Sequence, residues 1–409
     1  MQHSTGAFSV GFRLVSLLLA GLGGLNAAYA AETLKEAIHE GKVNGNIRIH
    51  YNERHYASRP DETAFALGGG LRAETGRLVG VKVGVGLYTA QDLGLNDSDP
   101  IKVDSRMGSD VLVLGEAYVN YSAWDSSSTI GRQKVNTPFA NPIDVFIIPF
   151  TYDAVSIKNK TIPNLTLEMA YLDKIKSAGS GEFVNVGIWS TSRLGVTPTE
   201  TSGTFLLGGK YKRGRKAIQA WWYEFSDLFF SRYLQADYAF ALSGNVKPFI
   251  SAQVIHQGET GDALLGEVDS MVYGLKGGIG VGKAELSLGY TQIAENSDAF
   301  KNGAFLAPYN FSTSPLYTNS MLQNMENNDA GEGLKLTLLF EVRAVKVRLS
   351  YAHLDFAVLP DLDATDFDLT YSLNNYVKGL SLRYRVEFVN SDSDAVEQSD
   401  NRLQLQYVF

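Results

Sequence analysis

Apolar and polar residues alternate with a period of two, again and again, along this chain. In Val43–Tyr51 the apolar side chains of Ile47, Ile49 and Tyr51 share one face, and Arg48 and His50 take the other. In Val79–Leu87 every odd position is apolar, while Lys82 and three glycines face away. Leu380–Phe388 sets Leu380, Leu382, Tyr384, Val386 and Phe388 against Ser381, Arg383, Arg385 and Glu387. Such runs read as strands with one apolar and one polar face. Eighteen are counted, each about ten residues long, the length a tilted strand needs to cross a bilayer. An even number returns both chain ends to one side of a membrane. Five longer segments, 91–110, 134–151, 176–203, 294–333 and 391–400, all fall on the opposite side. The apolar stretch Phe183–Trp189 would break that parity and is placed inside a loop.

Lipid offers no hydrogen-bond partner, so a spanning sheet has to close on itself. The expectation is therefore all-β: a transmembrane antiparallel up-and-down β-barrel of about eighteen strands, wide enough for a wet lumen. Residues 31–43 supply one short helical turn and no plug. Residues 1–30 carry Arg13, then an uncharged apolar stretch ending Ala28-Tyr29-Ala30. That order is a secretory signal peptide, and 31–409 becomes the exported barrel domain. The chain ends Leu403-Gln-Leu-Gln-Tyr-Val-Phe409. Tyr407 and Phe409 resemble the C-terminal insertion signal read by the barrel assembly machinery of the Gram-negative outer membrane, where lipid and lipopolysaccharide are the surroundings.

Composition removes several other functions. A net charge of −8 speaks against nucleic-acid binding, and zero cysteines exclude a disulfide framework, a zinc–thiolate site and a Cys nucleophile. Gly277–Lys283 imitates a phosphate-binding loop, but Ala284 stands where the magnesium-binding hydroxyl belongs and a strand follows, so it reads as a barrel turn. His50 and His55 fall on opposite faces of one strand. No metal-type pair, cofactor motif or catalytic constellation emerges, and the expectation is a channel rather than an enzyme. The acidic runs Asp92–Asp104 and Asp361–Asp368 read as solvated loop surface or as sites for divalent ions.

Gly131-Arg-Gln-Lys-Val-Asn-Thr-Pro-Phe-Ala-Asn-Pro-Ile-Asp144, followed by Ile148-Pro-Phe-Thr-Tyr-Asp-Ala154, resembles the OprD-type family of outer-membrane porins. Ala37–Tyr56, Trp221–Phe225, Gln235–Tyr238 and Lys378–Tyr384 agree with it. The resemblance implies eighteen strands, often in a loose homotrimer, passing small hydrophilic solutes such as amino acids, carboxylates and ions. It also implies that the third external loop folds inward as a constriction, here over 134–151. Arg132, Asp144, Phe146, Pro149, Phe150 and Asp153 are its candidate residues. Phe146–Phe150 is independently too apolar for a solvated loop, and Pro142 and Pro149 argue against a buried strand.

By alternation, Arg48, Arg54, Arg72, Lys346, Arg348, Arg383, Arg385 and Arg402 lie on the polar face of the first two and last strands, which closure makes neighbours. Two readings stand. They form one basic pore wall facing Asp144 and Asp153, or they pair locally with Glu74, Glu341 and Glu387. Tyr51, Tyr88, Tyr121, Tyr171, Tyr290, Tyr351 and Tyr407 suit interfacial girdles. The competing functions are a hydrophobic-solute transporter, which needs an apolar lumen, a barrel-type hydrolase, and a sealed barrel acting through its loops.

Overall fold

A computed structural model describes residues 33–143, 146–242 and 244–409. The proposed signal peptide and Asp144 lie outside them. The strands are β1 (Lys42–Tyr56), β2 (Glu62–Glu74), β3 (Val81–Gln91), β4 (Val111–Ala123), β5 (Ser126–Gln133) and β6 (Thr151–Asn159). They continue with β7 (Leu165–Lys176), β8 (Val184–Asn185), β9 (Thr204–Arg213), β10 (Lys216–Phe225), β11 (Phe229–Ala239) and β12 (Val246–Glu259). The last are β13 (Asp269–Val281), β14 (Ala284–Ile293), β15 (Gly331–Val342), β16 (Val345–Phe356), β17 (Leu362–Ser372), β18 (Leu380–Ser391) and β19 (Gln398–Val408). Each long strand pairs antiparallel with its neighbours, and β1 joins both β2 and β19. The result is a closed eighteen-strand barrel; the two-residue β8 is a short annex paired with β7. Phe183–Trp189 accordingly sits in a loop, where β8 is followed by helix α2 (Val186–Leu194).

The seam forms where Gly45 and Phe409 exchange backbone hydrogen bonds of 3.1 and 3.0 Å. Tyr407 stacks on Phe409 at 5.8 Å on the outer surface beside that seam. Helix α1 (Leu34–His39) is held at its start by a capping box between Thr33 and Glu36, and its Ala37 carbonyl accepts from Gly76 N–H at 2.7 Å. At the same end, tight turns connect the strands. Trp124 and Asp125 both adopt positive φ, as a two-residue hairpin with primed geometry demands.

Outward positions are apolar and uncovered: Ile47, Ile49, Val83, Val85, Leu112, Leu286 and Leu336 are all exposed. In a lipid-embedded barrel that surface meets acyl chains. Tyr51, Tyr171, Tyr351 and Tyr407 are on this outer face, as a girdle requires. Tyr88 is not. It is buried in the lumen, donates to Glu116, and lies over Gly70 and Gly115, where any Cβ would meet its ring within 2.6 Å. Two bulges re-aim side chains, one between Gly86 and Leu87 and one between Asp153 and Ala154.

Candidate functional site: a loop crossing the lumen

The segment after β5 enters the barrel. Thr137 N–H donates to the Ala140 carbonyl (2.7 Å) and Ile143 N–H to Asn141 Oδ1 (3.0 Å), and these bonds fold its tip. Phe139 is wholly buried against Tyr223 of β10 (4.7 Å), Tyr233 of β11 (5.7 Å) and Phe305 (5.6 Å). Further on, the Phe146 carbonyl accepts from Arg48 Nη1 of β1 at 2.7 Å. Since β1 and β10 lie half a circuit apart in the ring, the loop spans the lumen. Phe146, Pro149 and Phe150 are buried in this crossing.

Arg132 and Asp153 are not part of it. They are register partners on β5 and β6, with Gly131 and Gln133 turned inward and Arg132 outward. The Arg132 guanidinium covers the Phe183 ring at 4.3 Å and donates to the Leu114 carbonyl at 3.2 Å. Reading them as constriction residues treated a contiguous sequence block as one surface, whereas strand pleat sends neighbours to opposite faces.

Segment 294–330 also packs inward, which sequence reasoning missed. Phe305, Leu306, Ala307 and Tyr309 are buried; Tyr309 touches Tyr152 (6.0 Å) and Phe225 (5.1 Å). Asn310 Nδ2 donates to the Pro138 carbonyl (3.1 Å), and Phe311 meets Phe146 (5.9 Å), so the two loops hold each other. Helix α2 adds Trp189, whose Nε1 donates to the Pro308 carbonyl at 3.0 Å. The signal was present as Phe305-Leu-Ala-Pro-Tyr-Asn-Phe311, an apolar and aromatic run interrupted by a single Asn.

All eight basic candidates lie on the lumen face, and their settings differ. Arg48, Arg54, Arg385 and Arg402 are buried beneath the loops, Arg72 and Arg383 are half-buried, and Lys346 and Arg348 are exposed. Local pairing is extensive, and its acids are mostly different from those expected. Asp400 bonds both Arg54 and Arg402 Nε, the latter at 2.6 Å. Asp104 lies 3.7 Å from Arg54, and Asp368 accepts from Arg383 Nε at 2.8 Å. Arg72 pairs with the expected Glu74 (3.2 Å) and also with Glu116 (3.3 Å). Glu341 instead meets Lys283 of the β13–β14 turn (3.3 Å). Glu387 accepts from Ser320 and from Leu322 N–H (3.3 Å), and Asp366 beside it accepts from Met321 N–H (3.3 Å), so two acids tether the second loop. Lys346 and Arg348 have no carboxylate within ion-pair reach among the described residues. Nor do those residues contain a cluster of three metal-type side chains.

Glu326 sits in the second inward loop, 2% exposed, with Ser312 N–H donating to Oε1 at 2.8 Å. Burial pushes its carboxyl up to about 7, against the weaker pull of hydrogen bonds from Ser314 and Ser312 and of the Arg193 charge. A loop that swings into water lets this acid fall back towards its ordinary 4.5. The packed loop therefore holds the proton longer, and its advantage is present at low pH and declines as pH rises from about 4.5 to about 7. Single-channel recordings are expected to show more frequent opening transitions across that window, and Glu326→Gln to flatten the trend. A wild-type channel with pH-independent gating would contradict this account.

Comparison with known proteins agrees with this architecture. A family model described as "outer membrane porin, OprD family" matches residues 70–332, more than half of the chain. No curated protein matches. Among solved structures, Pseudomonas aeruginosa OccK9 (OpdG) superposes with a TM-score of 0.77 at 18% identity, covering 91% of this chain and 99% of that one. Acinetobacter baumannii OccAB3 gives 0.77 at 18% identity, covering 91% and 100%. Pseudomonas aeruginosa OpdK, solved with vanillate, gives 0.76 at 16% identity, covering 91% and 99%. A closed eighteen-strand barrel, a loop laid across its lumen and the matching family model together establish that this chain belongs to the OprD family of outer-membrane porins.

Proposed function

We propose that this porin favours small hydrophilic solutes bearing a carboxylate, amino acids and organic acids among them, and that its arginine- and lysine-rich wall draws them in. The carrying observation is the column of lumen cations on β1, β2, β16, β18 and β19, part of it in open lumen at Lys346 and Arg348. In a narrow bore with low-dielectric walls such a column concentrates anions. Solved with vanillate, a carboxylate, OpdK lends the reading support.

Reversal potentials under a salt gradient test it. The wild type is expected to prefer anions, and Lys346→Ala with Arg348→Ala to move the potential towards cations. Arg383→Ala with Arg385→Ala shifts it the same way. A wild-type cation preference that neither pair alters would overturn the proposal. Liposome swelling with amino acids and sugars separates transport from hydrolysis, since a hydrolase releases product from an ester without swelling.

The same reading has residues 1–30 removed on export and the barrel inserted through its Tyr407–Phe409 end. Its apolar outer face suits lipid, lipopolysaccharide acyl chains or two sister subunits. The mass of the purified chain and of its cross-linked form in membranes reads these points.

A further inference from the structure

The lumen is not uniformly cationic. Half a circuit from the arginine wall, β9, β10 and β11 border an open cavity of about 480 Å³, faced on its other side by the tip of the first inward loop and by Thr313 and Pro315 of the second. This volume lies within the range of about 300–1,000 Å³ common to small-ligand sites. Gln219, Gln235 and Asn141 present carboxamides there, Thr137 and Tyr233 hydroxyls, and Lys210 an ammonium group.

The amides are held in place. Trp221 Nε1 donates to Gln219 Oε1 (3.2 Å), Tyr233 OH donates to Gln235 Oε1, and Gln235 Nε2 donates to both Asp237 oxygens (2.8 and 3.0 Å). Asp237 is thereby occupied. Trp221 lies flat over Gly208, where an added Cβ would come within 2.1 Å of the ring, so the wall accepts no side chain at that position. Lys210 reaches over the Trp221 ring at 5.2 Å and has no carboxylate partner among the described residues. One cation without a carboxylate partner thus stands over a surface of amides and hydroxyls that can both donate and accept hydrogen bonds, with the Asp237 carboxylate anchored at its edge.

We propose that this cavity is a solute subsite for polyhydroxylated monocarboxylates, with the carboxylate on Lys210 and the hydroxyls on the amides of Gln219, Gln235 and Asn141. The inference rests on the carboxylate-selective reading above and adds to it the chemistry of the solute's other end. Carboxamides match hydroxyl groups, which replace the hydrogen bonds of displaced water. A hydrocarbon ring of equal size cannot replace them.

Current block in planar bilayers tests this with three probes. D-glucuronate carries both features, cyclohexanecarboxylate only the charge, and D-glucose only the hydroxyls. Glucuronate is expected to block the wild type at about tenfold lower concentration than either of the others. Gln219→Leu with Gln235→Leu should erase its advantage over cyclohexanecarboxylate and keep its advantage over glucose. Lys210→Met should do the reverse. Arg213→Met removes one charge at the neighbouring turn and should change neither ratio. Equal block by glucuronate and cyclohexanecarboxylate in the wild type overturns the subsite, as do ratios that survive both sets of substitutions. Reversal potentials from the same membranes report separately on the arginine wall, so its failure is distinguishable from that of the cavity.

Discussion

Asp400→Asn is expected to destabilise the barrel by about 3–5 kcal/mol, the scale for breaking a buried ion pair from one side. Asp400 is 1% exposed and bonds to both Arg54 and Arg402, themselves buried. The amide keeps the shape and removes the charge, so two desolvated guanidinium groups lose their shared partner. Arg402 is hit harder, because Arg54 retains Asp104 at 3.7 Å and Arg402 faces like-charged Arg385 across the β18–β19 ladder. Unfolding of the purified protein, followed by heat-modified gel migration or tryptophan fluorescence, reads the loss. An unchanged midpoint would show that water already screens this cluster. Pairing Asp400→Asn with Arg402→Met should recover part of the stability, since the second change removes the orphaned charge.

The second large effect concerns the crossing itself. Phe139→Ala removes the ring seated among Tyr223, Tyr233 and Phe305. Truncating a buried Phe costs about 3–5 kcal/mol. Here the cost falls on the packing of one loop, because the barrel ladder does not involve residue 139. The tip is therefore expected to leave the β10–β11 wall, raising unitary conductance and weakening discrimination among solutes, with barrel stability held. Phe305→Ala, which removes the contact from the other loop, should act in the same direction. Conductance equal to that of the wild type in both variants would mean that the crossing is pinned elsewhere.

These two sites also show what a sequence of this kind discloses. The strands were legible because outward and inward faces meet different solvents, so each side chain's polarity reports its direction. All eighteen long strands fall where alternation places them, within a few residues. Lumen-facing Arg48, Arg54, Arg383, Arg385 and Arg402 follow from the same parity. Parity gives direction and says nothing about burial depth. That four of these arginines lie under loops depends on where Phe146 and Ser320–Leu322 come to rest, which is a long-range matter. Tyr88 was misread because its tyrosine chemistry suits an interface, although its parity with Gly84 and Gly86 already put it inside. Arg132 and Asp153 were misread for the converse reason, since a motif block was allowed to override the pleat. Segment 294–330 went unrecognised because its length and polarity resemble a solvated loop, and its aromatic run was not weighed.

The junction of Gly45 with Phe409 has a consequence for biogenesis. A polypeptide emerges with its amino end first, yet its opening strand here has to wait for the closing one before its free edge is covered. Until the final aromatic residue arrives, every preceding hairpin belongs to an unfinished ribbon with two raw margins. The ribbon must be shielded throughout export, and loss of β19 leaves the whole cylinder without its last stave.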